Sequence, residues 1–391
     1  MSNLPLKNIK VIEFSHMVMG PSAGMILADL GAEVIKVEPI GGDKTRKLKG
    51  SGAGYFAMYN RNKQSISVDL KSKDGREIVS KLVAEADVVI ENFRAGALDK
   101  LGFGYTQLSK INDQLIFMSA KGFLKGPYEN RTALDEVAQM MGGLAYMTGP
   151  SGRPLRAGAS VIDVMGGMFG VIGILAALQQ RGDTKKGQQV TSSLFESTVF
   201  LMGQHMAQEA ITGKAPAPMP ERISGWAIYD VIELKDGDKL FVAVVSDTQW
   251  QKFCTKFKFD EFSDNDQMRT NAQRVDQRSV ILQTVRHAFK DVAIDDLIQA
   301  LEEIGLPYAP INKPQDLVSD HHLLESGGLL NIEIDDATTA KLPALPIELS
   351  DQRFGITRQI PKIGEHTEEV LLSLGYSKQQ IDEMKSANIA Q

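Results

Sequence analysis

Short β-branched runs alternate with helical stretches through the amino-terminal part of the chain. KVIEFS (10–15), EVIKVE (33–38), SISVDL (65–70), DVVIENF (87–93) and QLIFMSA (114–120) read as strands, and PSAGMILADLGA (21–32) and the charged DGREIVSKLVAEA (74–86) read as helices between them. That alternation predicts β-α-β units, which build a parallel sheet with helices on its faces. RTALDEVAQMMGGLAYMTGPSGRP (131–154) predicts a short helix running into a Gly- and Pro-punctuated loop. VIDVMGGMFGVIGILAALQQR (161–181) predicts a long helix with small residues at helical spacing, ended by the turn RGDTKKGQ. The stretch from Val164 to Gln180 has the composition of a membrane span, but its glycines and polar flanks favour a helix buried in a protein.

From about Lys214 the pattern changes. KAPAPMP (214–220) reads as a Pro-rich connector, after which AIYDVIEL, the turn KDGDK and LFVAVVS predict an antiparallel hairpin around Asp236 and Gly237. Helices are expected at about 247–257, 279–290 and 294–303, then a strand at YAPIN (308–312). LLNIEID and a Pro-rich stretch lead to a final amphipathic pair within 364–385, with Val370, Leu371, Leu374 and Ile381 on its buried face. The expected fold class is therefore α/β: a Rossmann-like large domain (1–213, completed by 329–391) with an inserted smaller α+β domain (214–328).

Composition narrows the function classes. The 391 residues are 43% hydrophobic and 24% charged, enough for more than one core, and a net charge of -6 provides no positive field for nucleic acid or anionic lipid. MSNLPLKNIK has no apolar signal core, so a cytoplasmic protein with neither nucleic acid nor membrane as partner is expected. Cys254 is the only cysteine and reads as a small buried hydrophobe. The six histidines are scattered, and the adjacent His321 and His322 read as a solvated helix start, so no metal site is expected.

No P-loop, His-Glu-x-x-His or Ser elbow is present. The first strand-to-helix turn, SHMVMGPSAG (15–24), lacks the G-x-G-x-x-G spacing of dinucleotide binders, though a helix start carrying Gly20 and Pro21 can receive an anion or simply connect strand to helix. Asp163 is the sharper candidate, at the start of an otherwise apolar helix. Either it caps that helix, as Asp commonly does, or it is a weakly solvated nucleophile.

Several segments together resemble the class III CoA-transferases, the family of formyl-CoA:oxalate and carnitine CoA-transferases. They are VIEFSHMVMGPSAGMILADLGAEVIKVE, DVVIENFRAGALDKLGFGY, ALDEVAQMMGG, SVIDVMGGMFGVIGILAALQQR, KKGQQVTSSLFES, LPYAPIN and IGEHTEEVL, in the family's order over nearly the whole chain. The resemblance implies that Asp163 is the catalytic aspartate and that Asp135 is an acidic residue near the active site. It further implies CoA contacts at Val18, Gly20, Pro21, Glu38, Asn92, Phe93, Lys100, Lys121 and Gly122. CoA and acyl-CoA are then substrates, with no tightly bound cofactor, and a small carboxylic acid is the partner in exchange. A homodimer of interlocked chains is implied in the same way.

Two departures point away from oxalate and a mobile glycine lid. Val18 stands where oxalate-using members carry glutamine, and RISGWAIYD (222–230) replaces their glycine run. Val18, Trp226 and Tyr229 are the expected pocket side chains. Two rivals stay open: an acyl-CoA racemase of the same fold family, weakened because RTALDEVAQ lacks that group's histidine, and a non-catalytic CoA-thioester-binding protein.

Overall fold

The computed structural model describes residues 4–391. They form two compact units, one running to Glu221 and resuming at His321–Gln391, the other Arg222–Asp320. The sequence boundaries of 213/214 and 328/329 therefore sit outside the observed division. Residues 214–221 side with the first unit because Glu221 accepts hydrogen bonds from Ser151 and the Pro216 carbonyl accepts one from Tyr146.

The first unit is built on β1 (Lys10–Phe14), β2 (Glu33–Glu38), β3 (Gln64–Ser67), β4 (Val88–Glu91), β5 (Ile116–Lys121) and β6 (Gln189–Ser193). Every neighbouring pair is parallel, and the order across the sheet is β3-β2-β1-β4-β5-β6. Val11 of β1 pairs with Val34 on one side and Val88 on the other, all of them buried, as a sheet covered on both faces requires. This order reverses direction between β1 and β4. Such a reversal leaves a crevice beyond the carboxyl ends of those two strands.

The connections carry helices α1 (Met19–Asp29), α2 (Tyr55–Tyr59), α3 (Lys73–Ala84), α4 (Ala97–Leu101), α5 (Tyr105–Leu108), α6 (Asp135–Met141), α7 (Leu144–Thr148), α8 (Val161–Thr184) and α9 (Leu194–Thr212). α1 starts two residues before the expected Pro21 and is buried along its whole length, packed between the sheet and α8. α8 runs past the expected turn at Arg181 and stops only where Lys185 takes a left-handed φ of 55°.

The glycines of α8 explain how it packs. A methyl on Gly167 would stand 2.8 Å from the Met19 carbonyl oxygen and 2.2 Å from Ser22 Oγ; Gly170 and Gly173 lie equally close to Met118 and Val190. The opposite face was not expected to be open, yet Met168 and Ile172 are 49% and 58% exposed. On α9, Phe200 is 73% exposed. Of the described helices α8 alone is long and apolar enough to cross a membrane, but its glycine face is filled by the unit's own core.

The second unit has an antiparallel sheet of β7 (Tyr229–Glu233), β8 (Lys239–Ala243) and β9 (Tyr308–Pro310), with Asp236 and Gly237 in left-handed conformations at the hairpin tip as the sequence reading has it. Helices at Asp247–Phe257, Arg278–Phe289 and Ile294–Ile304 cover it around a core that includes Trp250, Phe253 and Cys254. Back in the first unit, the carboxyl-terminal segment lies along the β3 edge. His366 and Ser65 exchange hydrogen bonds, the Ile389 carbonyl accepts from Asp69, and Val68 bridges Ala390.

Gly167→Ala is expected to destabilise the protein by about 1–3 kcal/mol, because the added carbon meets not only Ser22 Oγ but also the backbone of α1 at the Met19 carbonyl, which cannot swing away. Urea unfolding of the variant beside the wild type measures this.

Candidate functional site

A cavity of about 750 Å³ occupies the crevice at the carboxyl ends of β1, β4 and β5. It is bounded by the turn after β1, the turn after β4 and the heads of α6 and α8. Each of these arrives there for a reason that can be followed from the residues.

The turn after β1 is held from several sides. Asn92 accepts the His16 N–H at 3.0 Å and donates to the His16 carbonyl at 2.7 Å, so one amide side chain fixes one peptide residue. Gly20 permits this closeness, since a methyl there would stand 2.5 Å from Ser15 Cβ and 3.1 Å from the Asn92 side chain. Met17 is left-handed at φ 63°, an uncommon state for a side chain of its size, and its N–H donates to Thr45 Oγ1 at 3.0 Å.

Behind the turn lies a fully buried ionic group. Lys36 Nζ donates to the Ser15 carbonyl at 2.6 Å and pairs with Glu13 and Asp43 at 3.3 and 3.2 Å, while Lys63 pairs with the second Glu13 oxygen at 2.7 Å. Burial pulls the Lys63 ammonium down to about 8 despite that partner. The His16 ring lies 5.3 Å from Phe93, and burial lowers its pKa, so at neutral pH it is uncharged.

The head of α8 is organised by Asp135 rather than by Asp163. Asp135 is buried and its Oδ2 accepts the Ile162 and Asp163 N–H groups at 2.9 and 3.2 Å. Its Oδ1 accepts Gln139 Nε2 at 2.6 Å and Arg156 Nη2 at 3.1 Å. Of the two readings offered for Asp163, capping is thereby set aside. The amides of the first turn are already taken by another carboxylate.

Asp163 is left in the first turn, on the cavity wall, with its own carboxylate unserved by any such amide. Burial first, and then the charge of Asp135, push its pKa up to about 7, while Arg156 acts in the opposite direction. Tyr55 completes this wall, its hydroxyl 3.3 Å from Ser160 Oγ.

Of the residues singled out by sequence, Asn92, Phe93, Lys121, Gly122, Asp135 and Asp163 line this cavity. Lys121 is not free there, since it pairs with Glu91 at 2.6 Å and donates to the Phe93 carbonyl at 2.9 Å. Gly20 acts through close packing, and the Pro21 carbonyl accepts from Lys63. Val18 is buried, while its neighbours Met17 and Met19 line the cavity. Glu38 is buried under Arg46, Ser65 and the Asp43 amide. Lys100 is exposed on α4. Trp226 and Tyr229 stack on each other at 5.2 Å within the second unit.

The sequence reading missed Arg156, His16 and Tyr55 as cavity residues. A signal existed for the first, an arginine in the Gly- and Pro-rich loop directly ahead of the candidate nucleophile. His16 was visible only as one scattered histidine, although it falls in the strand-to-helix turn that a reversal crevice must use.

A parallel sheet in this order, with a desolvated carboxylate in its reversal crevice, defines an α/β protein with a candidate catalytic group where such folds bind ligands. The chain belongs to CoA-transferase family III, whose family model matches residues 6–367, and it is a class III CoA-transferase. It is 33% identical to the succinate–glutarate CoA-transferase of Agrobacterium fabrum (strain C58), over 95% of this chain and 96% of that protein. It is 31% identical to human succinyl-CoA:glutarate CoA-transferase, over 100% of this chain and 91% of the other. A crystal structure of a CAIB/BAIF family protein from Brucella suis superposes with a TM-score of 0.84 at 35% identity, covering 95% of this chain and 100% of that one.

The raised Asp163 pKa has a stability consequence. The folded state binds the proton more tightly than the unfolded chain, so the contribution of this group is full at low pH and is lost as pH rises through about 7. Asp163→Asn should therefore be more stable than wild type at pH 8, by roughly 1–3 kcal/mol once partial solvation is allowed for, with the difference fading toward pH 4. Thermal unfolding of both proteins across that range reads it directly.

Proposed function

We propose that the enzyme moves CoA from an acyl-CoA donor to a carboxylic acid acceptor through an aspartyl-CoA thioester on Asp163. The observation that carries this reading is the division of labour between two neighbouring carboxylates. Asp135 takes the helix amides and Arg156, and Asp163 is left desolvated and facing the cavity. A carboxylate stripped of donors is a stronger nucleophile than one in water.

In this scheme the Asp163 carboxylate attacks the thioester carbonyl and expels CoA thiolate, leaving a mixed anhydride. The thiolate attacks the aspartyl carbonyl and releases the donor acid, so that CoA is held on Asp163. An acceptor carboxylate displaces the thiolate again, and the thiolate attacks the acceptor's acyl carbonyl, giving the new acyl-CoA and a free Asp163. CoA and its esters enter only as substrates. The candidate donors to the tetrahedral oxyanion are the Met19 and Gly20 amides of α1, since a helix leaves its first N–H groups without internal acceptors, Pro21 has none, and the Ser22 N–H already goes to the Val18 carbonyl. The names of the relatives favour short dicarboxylic acids and their CoA esters as the exchanged pair.

The open apolar face of α8 and α9 supports a second copy of the chain as partner, in the interlocked homodimer of the family, with the Arg222–Asp320 unit as an insertion in the larger domain. Light scattering should give twice the chain mass, and the double variant Ile172→Glu, Phe200→Glu should give monomer or aggregate.

Incubation with succinyl-CoA followed by peptide mass spectrometry should place CoA on the peptide holding Asp163, with no adduct in Asp163→Ala. An unmodified peptide in a protein that still transfers CoA would remove the reading. Because the nucleophile is the ionised form, kcat/KM should fall about tenfold per pH unit below 7 and level off above 8.

A further inference from the structure

We propose that Arg156 receives the carboxylate of the acid substrate that does not react, which makes the site one for dicarboxylic acids. The inference rests on the reading that the other carboxylate is exchanged at Asp163. It begins from unfilled donors.

A guanidinium offers five N–H groups on three nitrogens. In Arg156, Nη2 is committed to Asp135 Oδ1 at 3.1 Å and to the Ala159 carbonyl at 3.2 Å. Nη1 has only Glu136 at 3.9 Å, beyond hydrogen-bonding distance, and Nε is buried with no acceptor at all. A buried donor without a partner is unfavourable and is rare unless a ligand or water serves it. Nε itself is closed off, but the side chain remains 34% exposed on the cavity wall, which leaves Nη1 as the donor for a ligand.

Of the other cations lining this space, Arg94 is exposed and makes no ion pair among the described residues, and the remaining two are engaged. Lys121 is held by Glu91 and the Phe93 carbonyl, and the Arg131 guanidinium lies 4.8 Å above the Tyr128 ring. Arg156 is also the one tied geometrically to the nucleophile. Asp135 grips Arg156 with one oxygen and the Asp163 backbone N–H with the other, so one carboxylate bridges the guanidinium and the backbone of the nucleophilic residue, and the Arg156 charge acts on the Asp163 carboxyl. An acid with two carboxylates joined by a short methylene chain then brings one to Asp163 and the other to Arg156. A monocarboxylic acid of equal length would present a methyl to the guanidinium and leave its donors unfilled.

The test compares acids of matched length, glutarate against pentanoate and succinate against butyrate, as acceptors from succinyl-CoA. Wild type should prefer each dicarboxylate, and in Arg156→Gln the ratio of kcat/KM values should collapse by roughly 10- to 100-fold, the size of a lost charged hydrogen bond, chiefly through KM. Arg156→Lys should recover part of the preference. Since Arg156 also supports Asp135, total rates will drop, but only a ligand-binding role changes the ratio. A ratio that stays constant while both rates fall together overturns the proposal. A second arm needs no turnover: glutarate should raise the melting temperature of wild type and not of Arg156→Gln, and equal stabilisation of the two overturns it. If no CoA adduct forms on Asp163 the reaction scheme fails by itself, while this binding comparison still decides the role of Arg156.

Discussion

The site depends on one carboxylate being used up so that another is not. Asp135 meets two helix amides, a glutamine amide and a guanidinium, and this full complement lets it remain buried at the junction of α6 and α8. Were Asp163 to bond its own helix head, it would be a stable cap and a poor nucleophile. The two acids stand 28 residues apart in sequence and divide what a lone aspartate would have to do alone.

The opposite wall follows a comparable logic with charges in place of caps. Glu13, Lys36, Lys63 and Asp43 are removed from water together, an arrangement that hydrophobic residues could replace with little loss of stability. What the ions supply is direction. Lys36 fixes the Ser15 carbonyl and Lys63 the Pro21 carbonyl, at either end of a turn that contains a left-handed Met17. Local strain there is over-determined by the surroundings, as is usual where backbone must meet a ligand.

The sheet was legible because its strands are short apolar runs with helices between them, and the second unit because its hairpin and helices follow simple periodicities. Strand order was not legible, since periodicity carries no information on which strands pair. Asp163 stood out by type and place, a charge at the head of an apolar helix. Its environment did not, because the amides of its own helix belong to Asp135 and no local pattern reveals a cap drawn from another element. Glu38 and Lys121 illustrate the converse. They are charged residues at strand ends, where binding residues are sought, but their partners Arg46 and Glu91 become apparent only in three dimensions.

The covering of the β3 edge also constrains how the molecule comes into being. Strands β1 to β6 are complete by Ser193, yet the segment that pairs with Ser65, Val68 and Asp69 lies beyond residue 364, after the whole of Arg222–Asp320. At about 5–20 residues per second of synthesis, the sheet waits on the order of tens of seconds with bare backbone at that edge. During that interval an exposed strand is open to pairing with other chains, a hazard that ends only when the carboxyl-terminal segment docks along it.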